Sequence, residues 1–248
     1  EGHHEAAGHF ATSKGFKNAY LIAPNYPAGK DALTGFKRGY KGNVVAEVYT
    51  KVNQLDYSAE LAQIRAAKPD TLYAFLPGGM GINFVKQFVA AGLSRDIQLV
   101  VPGFVSDQDI IPAVGEPMLG LFDTAHWSYD LDNDANRAFV AAFQKEYNRL
   151  PSVFAEQGYT TALVIDGAVR AAKGKIEDVK AFHAALKAAP TRVKTPRGDW
   201  RIGANGTPIQ DYYVRVVAKD NQGRIVNKKI GTVMNDHVDF WAKECKMK

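Results

Sequence analysis

Cysteine is almost absent from this sequence, since Cys245 is the only one in 248 residues. A single cysteine excludes a disulfide within the chain and a zinc site built from several cysteines. Long apolar runs are missing too, because no stretch reaches the ~18 residues that a membrane-spanning helix needs. The opening residues, 1–5, also lack the apolar segment of a signal peptide.

Neither sign of charge dominates the sequence. It contains 31 Lys and Arg against 26 Asp and Glu, which gives a net charge of +5. The basic residues are scattered among the acidic ones rather than gathered in one segment. A nucleic-acid partner usually requires a clustered basic surface, so we expect none.

Motifs of enzymes and cofactor-binding proteins are missing as well. The sequence has no Gly-x-Ser-x-Gly nucleophile elbow, no His-Glu-x-x-His metal motif and no Gly-x-Gly-x-x-Gly dinucleotide loop. The loop 24–31 contains a Gly-Lys pair, but Pro24 stands where a phosphate-binding loop needs glycine, and Asp31 replaces the Ser or Thr that would hold magnesium. We therefore expect a protein that is not an enzyme, with no catalytic residue, no metal and no cofactor.

Four of the six histidines could still indicate a metal or catalytic site. His3, His4 and His9 fall on one predicted helix, where adjacent positions do not share a face. His126 follows a predicted strand and precedes Trp127. We interpret all four as surface histidines and expect Trp127 to be packed in the interior.

Apolar runs alternate with amphipathic stretches over the first 124 residues. Strands are predicted at 19–23, 44–49, 71–76, 97–101 and 120–124. Helices are predicted at 1–12, 31–40, 58–68 and 81–91, with Asp31 as the N-cap of the second. This alternation predicts parallel βαβ units, and right-handed crossovers then give a doubly wound sheet.

After residue 125 the pattern changes. Helices are predicted at 135–147, 154–172 and 178–188, with one short strand at 199–202. Two extended runs, 209–218 and 225–233, flank an Asp-Asn-Gln-Gly turn, which predicts a hairpin. The three helices lack strands to cover, so we expect them to belong to a second lobe whose strands come from elsewhere.

Three predicted strands end in loops rich in proline and glycine, at 24–31, 77–81 and 102–104. Parallel strands present their carboxyl ends at one edge of the sheet, and doubly wound domains bind ligands there. The glycines of 77–81 would also expose backbone amides at a helix N-terminus, which suits a carboxylate. The sequence therefore predicts a small-molecule site at this edge.

Several segments together resemble a known family. They are 14–26, followed by Gly29-Lys30 and Gly35-Phe36-Lys37, then 56–61, 66–70, and 148–152 followed by Gln157-Gly158-Tyr159. This pattern is similar to type I periplasmic substrate-binding proteins of ABC importers, in the branched-chain amino-acid class. The resemblance implies an α/β fold with two doubly wound parallel-sheet lobes, which close on a ligand by a hinge motion.

The resemblance also implies how the chain is divided. Residues 1–124 would form the second lobe, residues 125–207 the helical part of the first lobe, and residues 208–248 the return to the second lobe with a C-terminal tail. One lobe would then be incomplete, so we expect an N-terminal truncation that removed a signal peptide and the opening strands. We expect a periplasmic monomer whose partner is an ABC permease in the inner membrane.

Two positions depart from the amino-acid binders of this family. Those proteins commonly place Tyr before the glycine of the first loop, where this sequence has Ala28. They hold the ligand ammonium with an acid after the fourth strand, where the matching stretch of this sequence is Gly103-Phe104-Val105. A buried ammonium without a carboxylate partner would cost several kcal/mol. We therefore expect a small carboxylate ligand, aromatic or hydrophobic, in preference to an amino acid.

An apolar ring with a carboxylate would contact aromatic side chains, a methionine and backbone amides. The predicted ligand-binding residues are Asn25, Tyr26, Ala28, Gly79, Met80, Gly81, Phe104, Phe154 and Gln157. A ligand with an ammonium group would instead need another acid, such as Glu47 or Asp107. Two alternatives stay open: a branched-chain amino-acid receptor, and a cytoplasmic ligand-sensing regulator of the same fold.

Overall fold

The computed structural model describes residues 1–246. The chain forms two units. Unit 1 consists of Glu1–Ala125 and Tyr212–Val233, and unit 2 consists of His126–Asp211 with the chain from Met234 onward.

Unit 1 is built on a parallel sheet of five strands. They are β1 (Asn18–Pro24), β2 (Asn43–Thr50), β3 (Thr71–Ala74), β4 (Gln98–Pro102) and β5 (Phe122–Ala125). The helices are α1 (Gly2–Ser13), α2 (Pro27–Gly39), α3 (Ser58–Ala67), α4 (Gly79–Ala90) and the single-turn α5 (Ile111–Val114). The strands lie in the order β2-β1-β3-β4-β5, with parallel pairing throughout. This order is that of a doubly wound sheet, as the sequence predicts.

Strand β1 shows why the sheet needs helices on both faces. Its residues from Ala19 to Pro24 are all buried. Tyr20 and Ile22 pack in a core with side chains of α3 and α4, whereas Leu21 and Ala23 pack in a second core with α1 and α2. Successive strand residues point to opposite faces, so an unbroken apolar run must be covered twice.

Helix α2 begins four residues earlier than the sequence analysis predicts. Its first residue is Pro27, and the N-cap residue Tyr26 is extended, with φ −154° and ψ 170°. Proline suits the first helical position because its φ is already helical and it lacks the N–H that would have no acceptor there. Asp31 consequently lies inside the helix, and its predicted role as N-cap is wrong.

Two further strands complete the sheet of unit 1. Part of β7 (Pro208–Lys219) runs antiparallel to β5, with Phe122 opposite Val216 and Ala125 opposite Tyr213. Strand β8 (Ile225–His237) pairs with β7. Asp220 closes the turn between them, since its Oδ1 accepts the backbone N–H groups of Gln222 and Arg224. The predicted hairpin is confirmed, with both strands longer than expected.

Unit 2 is mainly helical. It contains α6 (Asp134–Tyr147), α7 (Val153–Ala171), α8 (Val179–Ala188) and β6 (Arg201–Ile202), which pairs antiparallel with Pro208 and Ile209. Asn133, Ser152 and Asp178 cap the three helices, because each side chain accepts a backbone N–H from the first turn. The three predicted helices are confirmed, while the assignment of segments to first and second lobes stays a prediction. Within residues 1–246, no helix is long and apolar enough to cross a membrane.

Candidate functional site

Three aromatic rings meet at the carboxyl edge of the unit 1 sheet. Tyr26 follows β1, Phe75 follows β3 and Phe104 follows β4, and these strands are neighbours. Tyr26 and Phe75 stack with ring centroids 6.2 Å apart, and Phe75 meets Phe104 edge-on at 5.8 Å. We call these three residues the aromatic edge. Two of them, Tyr26 and Phe104, are predicted ligand-binding residues, and Phe75 joins them.

Helix α1 brings two histidines to the aromatic edge. The His3 ring lies edge-on to Phe104 at 5.7 Å, and the His4 ring lies edge-on to Phe75 at 5.3 Å. His4 is only 9% exposed, and His3 is half-buried. The interpretation of His4 as a surface residue is therefore wrong. Its helix packs a buried alanine-rich face against the sheet, which carries His4 inward.

The buried pair formed by His4 and Tyr73 carries no charge at neutral pH. His4 Nδ1 lies 2.6 Å from the Tyr73 hydroxyl. Burial lowers the pKa of His4 to about 3. Burial also raises the pKa of Tyr73 well above its usual value. An uncharged pair behind the aromatic edge suits an apolar ligand ring.

His3 ties the start of α1 to the end of β5. Its Nδ1 lies 3.0 Å from the carbonyl oxygen of Thr124, and a carbonyl can only accept, so Nδ1 carries a proton. In return, the Thr124 hydroxyl donates to the carbonyl oxygen of His3 at 2.7 Å. The His3 ring also meets Tyr212 edge-on at 5.3 Å. These contacts fix the His3 ring beside Phe104.

The predicted glycine loop forms the N-terminus of α4. Gly79, Met80 and Gly81 are its first three residues, so their backbone amides have no acceptor within the helix. A Cβ on Gly81 would lie 2.2 Å from the carbonyl oxygen of Leu76, so this third residue of α4 has to be glycine. Met80 is half-buried, and its sulfur accepts the backbone N–H of Asn53 at 3.3 Å.

The remaining predicted ligand-binding residues lie at exposed positions. Asn25 and Ala28 flank Tyr26 in unit 1, and the backbone N–H of Asn25 donates to the carbonyl oxygen of Thr50 at 2.8 Å. Phe154 and Gln157 lie on α7 in unit 2, where Phe154 is 55% exposed. Contact of any of these nine residues with a ligand stays a prediction.

The two acids that could hold an ammonium group already have partners in unit 1. Glu47 lies 2.6 Å from Lys37 Nζ and 2.5 Å from the Tyr49 hydroxyl. Burial opposes ionisation of Glu47, but these hydrogen bonds and the Lys37 charge lower its pKa overall. Asp107 is 1% exposed and lies 3.6 Å from Arg215.

Unit 2 has its own buried ionic cluster. Glu156, fully buried, lies 3.2 Å from His126 Nε2 and 3.0 Å from Arg197 Nη2. Burial would raise the pKa of Glu156, yet the His126 hydrogen bond and the Arg197 charge lower it overall. His126 is 2% exposed, so its predicted surface position is wrong, whereas Trp127 is buried as expected. Over residues 1–246, no group of three or more His, Cys, Asp or Glu is placed to hold a metal.

Unit 1 is a doubly wound α/β unit with aromatic rings and the N-terminus of α4 at its carboxyl edge, the edge at which folds of this class bind ligands. The family profile described as "Periplasmic binding protein" matches residues 2–222, and the chain belongs to that family. The family and the fold class predicted from the sequence are both confirmed.

Individual proteins of known sequence or structure are similar to this chain. A Leu/Ile/Val-binding protein homolog 6 from Brucella melitensis is 32% identical over 233 residues, which cover 90% of this chain and 58% of the relative. An ABC-transporter solute-binding protein from R. palustris, solved with benzoate, is 33% identical with a TM-score of 0.88, over 98% of this chain and 65% of that one. A second, from Rhodopseudomonas palustris BisB5 with 3,4-dihydroxybenzoic acid, is 29% identical with a TM-score of 0.81, over 96% and 66%. The chain thus spans about three-fifths of the length of the curated relatives it matches.

Proposed function

We propose that this chain is the ligand-binding part of a solute receptor of an ABC importer, and that its ligand is a small aromatic carboxylate of the benzoate type. The observation that carries this proposal is the aromatic edge of Tyr26, Phe75 and Phe104 beside the N-terminus of α4. The resemblance to amino-acid binders of the family implies that their ammonium-holding acid falls in the stretch Gly103-Phe104-Val105, which contains no acid.

The ring of the ligand would pack against the aromatic edge. Aromatic pairs prefer offset-stacked or edge-to-face arrangements, and each contributes about 0.5–1.5 kcal/mol beyond area burial. Tyr26 and Phe104 are both half-buried, so each keeps part of its ring available for a further contact. Burial of the ligand ring supplies the remaining affinity at about 25 cal/mol per Å² of apolar surface.

The carboxylate of the ligand would lie at the N-terminus of α4. The amides of Gly79, Met80 and Gly81 are available as donors, and the helix dipole favours an anion there by roughly 0.3–1 kcal/mol. Gly79 has nothing within 4 Å of its Cβ position, so the space beside the first residue of α4 is open within unit 1.

Relatives support this ligand class without deciding it. The R. palustris proteins at 33% and 29% identity were solved with benzoate and 3,4-dihydroxybenzoic acid. The Brucella relative at 32% identity favours a second candidate, a branched-chain amino acid. That ligand would need an acidic partner for its ammonium group. Glu47 is already paired with Lys37, and Asp107 with Arg215.

The family implies a location and a partner, which form part of the proposal. A receptor of this class would work in the periplasm, deliver its ligand to an inner-membrane ABC permease and catalyse no reaction. Closure of two lobes on the ligand, and a monomeric state, remain predictions. Because the chain spans only part of its relatives' length, these properties are proposed for the protein to which the chain belongs.

A ligand panel tests the proposal. The melting temperature of the purified protein is measured with benzoate, para-hydroxybenzoate, leucine and valine, with benzamide as the control that lacks the charge. A ligand at 100 times its Kd stabilises the native state by about 2.7 kcal/mol, which raises Tm by about 5–10 °C in a protein of this size. We expect that shift with the two acids and not with benzamide. Stabilisation by leucine or valine alone would overturn the aromatic assignment.

A further inference from the structure

A buried polar cluster lies directly behind the turn that carries Phe104. Its members are Asp123 on β5, Arg215 on β7 and Asn227 on β8, each no more than 1% exposed. Three strands therefore each contribute one buried polar side chain to the same part of unit 1. We call these residues the Asp123 cluster.

Both oxygens of the Asp123 carboxylate are engaged. Arg215 Nε donates to Oδ1 at 2.6 Å. Asn227 Nδ2 and the Ser106 hydroxyl donate to Oδ2 at 2.7 Å and 2.8 Å. A buried carboxylate with three charge-assisted or neutral hydrogen bonds has a fixed orientation, and so do its donors.

Arg215 and Asn227 also donate hydrogen bonds to both ends of the turn that carries Phe104. This turn is a 3₁₀ segment, Gly103–Val105, followed by Ser106. Arg215 Nη2 donates to the carbonyl oxygen of Gly103 at 3.4 Å, and Asn227 Nδ2 donates to the carbonyl oxygen of Ser106 at 2.8 Å. Phe104 lies between these two anchors, with its ring against His3 and Phe75.

Arg215 and the end of β5 together crowd position 103. A Cβ on Gly103 would lie 2.8 Å from Ala125 Cβ, 2.9 Å from Arg215 Nη2 and 3.1 Å from the carbonyl oxygen of Thr124. A larger residue before Phe104 would therefore require the guanidinium or the end of β5 to shift.

We propose that Asp123, Arg215 and Asn227 are positioning residues for ligand binding: they hold the Gly103–Val105 turn so that the Phe104 ring is presented at the aromatic edge. This inference rests on the proposed function for its role in binding. A buried ion pair is seldom more stabilising than apolar side chains of the same volume. Its directional hydrogen bonds fix the backbone position of the turn, and a ring that contacts a ligand has to be held in one position.

Fluorine NMR of the ligand-free protein tests the positioning directly. Phe104 is replaced by para-fluorophenylalanine, and spectra are recorded for the parent, Asn227→Ala, Arg215→Lys and Gly103→Ala. Asn227→Ala removes two anchoring hydrogen bonds without unpairing a charge, so it remains informative if Arg215→Lys fails to fold. Lys219→Gln is the matched control, because Lys219 lies on β7 but is exposed and pairs with Glu116 at the surface.

We expect one narrow fluorine resonance in the parent and in Lys219→Gln, and a shifted or broadened resonance in the three other variants. An unchanged resonance in folded Asn227→Ala would overturn the proposal. The dissociation constant for benzoate should rise about three- to tenfold in the same variants, the equivalent of one aromatic contact. If the parent binds no benzoate, the proposed function fails while the fluorine spectra still decide whether the cluster positions Phe104.

Discussion

Replacing His4 by Gln should make the stability of this protein less sensitive to acid. His4 is buried beneath the aromatic edge, and burial lowers its pKa to about 3 from the model-peptide value of 6.5. Between these two pH values the unfolded chain binds a proton that the folded chain does not. The free energy of unfolding therefore falls as the pH drops below about 6.5 and stops falling near the folded-state pKa.

The size of this effect follows from the two pKa values. Each pH unit in the window removes about 1.4 kcal/mol, so acidification from pH 6.5 to pH 5 removes about 2 kcal/mol through His4 alone. Glutamine cannot titrate, and its amide can keep a hydrogen bond to the Tyr73 hydroxyl, which His4 contacts at 2.6 Å. The variant should lose this contribution without leaving Tyr73 unpaired.

Urea unfolding at pH 7 and pH 5 measures the difference for the parent, for His4→Gln and for His9→Gln. His9 lies on the same helix with its side chain 42% exposed, so it is the matched control. We expect the loss of unfolding free energy between the two pH values to be about 2 kcal/mol smaller in His4→Gln than in the other two proteins. Equal losses in all three would refute the assignment of His4 as a buried neutral histidine.

Three further substitutions, one of them with a matched control, have defined outcomes. Arg197→Met leaves the buried Glu156 carboxylate without its guanidinium partner. The free energy of unfolding in urea should fall by about 3–5 kcal/mol. A loss below about 1 kcal/mol would contradict a charged buried pair. Gly81→Ala should lower this free energy by about 1–3 kcal/mol through the clash at the start of α4, whereas Gly79→Ala, which meets nothing within 4 Å, should lose far less. Phe104→Ala should weaken benzoate binding about tenfold in calorimetry through lost ring contact and burial, and an unchanged Kd would remove Phe104 from the site.

Much of the fold could be predicted from the sequence, because its strands are short apolar runs between clear turn signals. Residues 19–23 and 72–76 are apolar without interruption, which is typical of a strand covered on both faces. The start of α2 was mispredicted because two helix-start signals competed. Pro27, which suits the first helical turn, determines the start, and Asp31 lies one turn further on.

The candidate site was predicted less well, because burial of polar residues depends on distant segments. The sequence around His4 indicates a surface residue, but Tyr73 on β3 and Phe75 just after it pack against His4. Arg215 offered a readable signal, since it is the one charged residue in the apolar run 212–217. Burying a charge inside such a strand costs free energy unless an oppositely charged partner pairs with it. The partner of Arg215 is Asp123, which lies 92 residues away in sequence, so the sequence alone does not identify it.

A structure of the protein crystallised with benzoate tests the ligand assignment most directly. It should place the carboxylate on the amides of Gly79–Gly81 and the benzene ring against Tyr26 and Phe104. A benzoate found away from these residues, or a leucine whose ammonium group is held by Glu47 or Asp107, would contradict it.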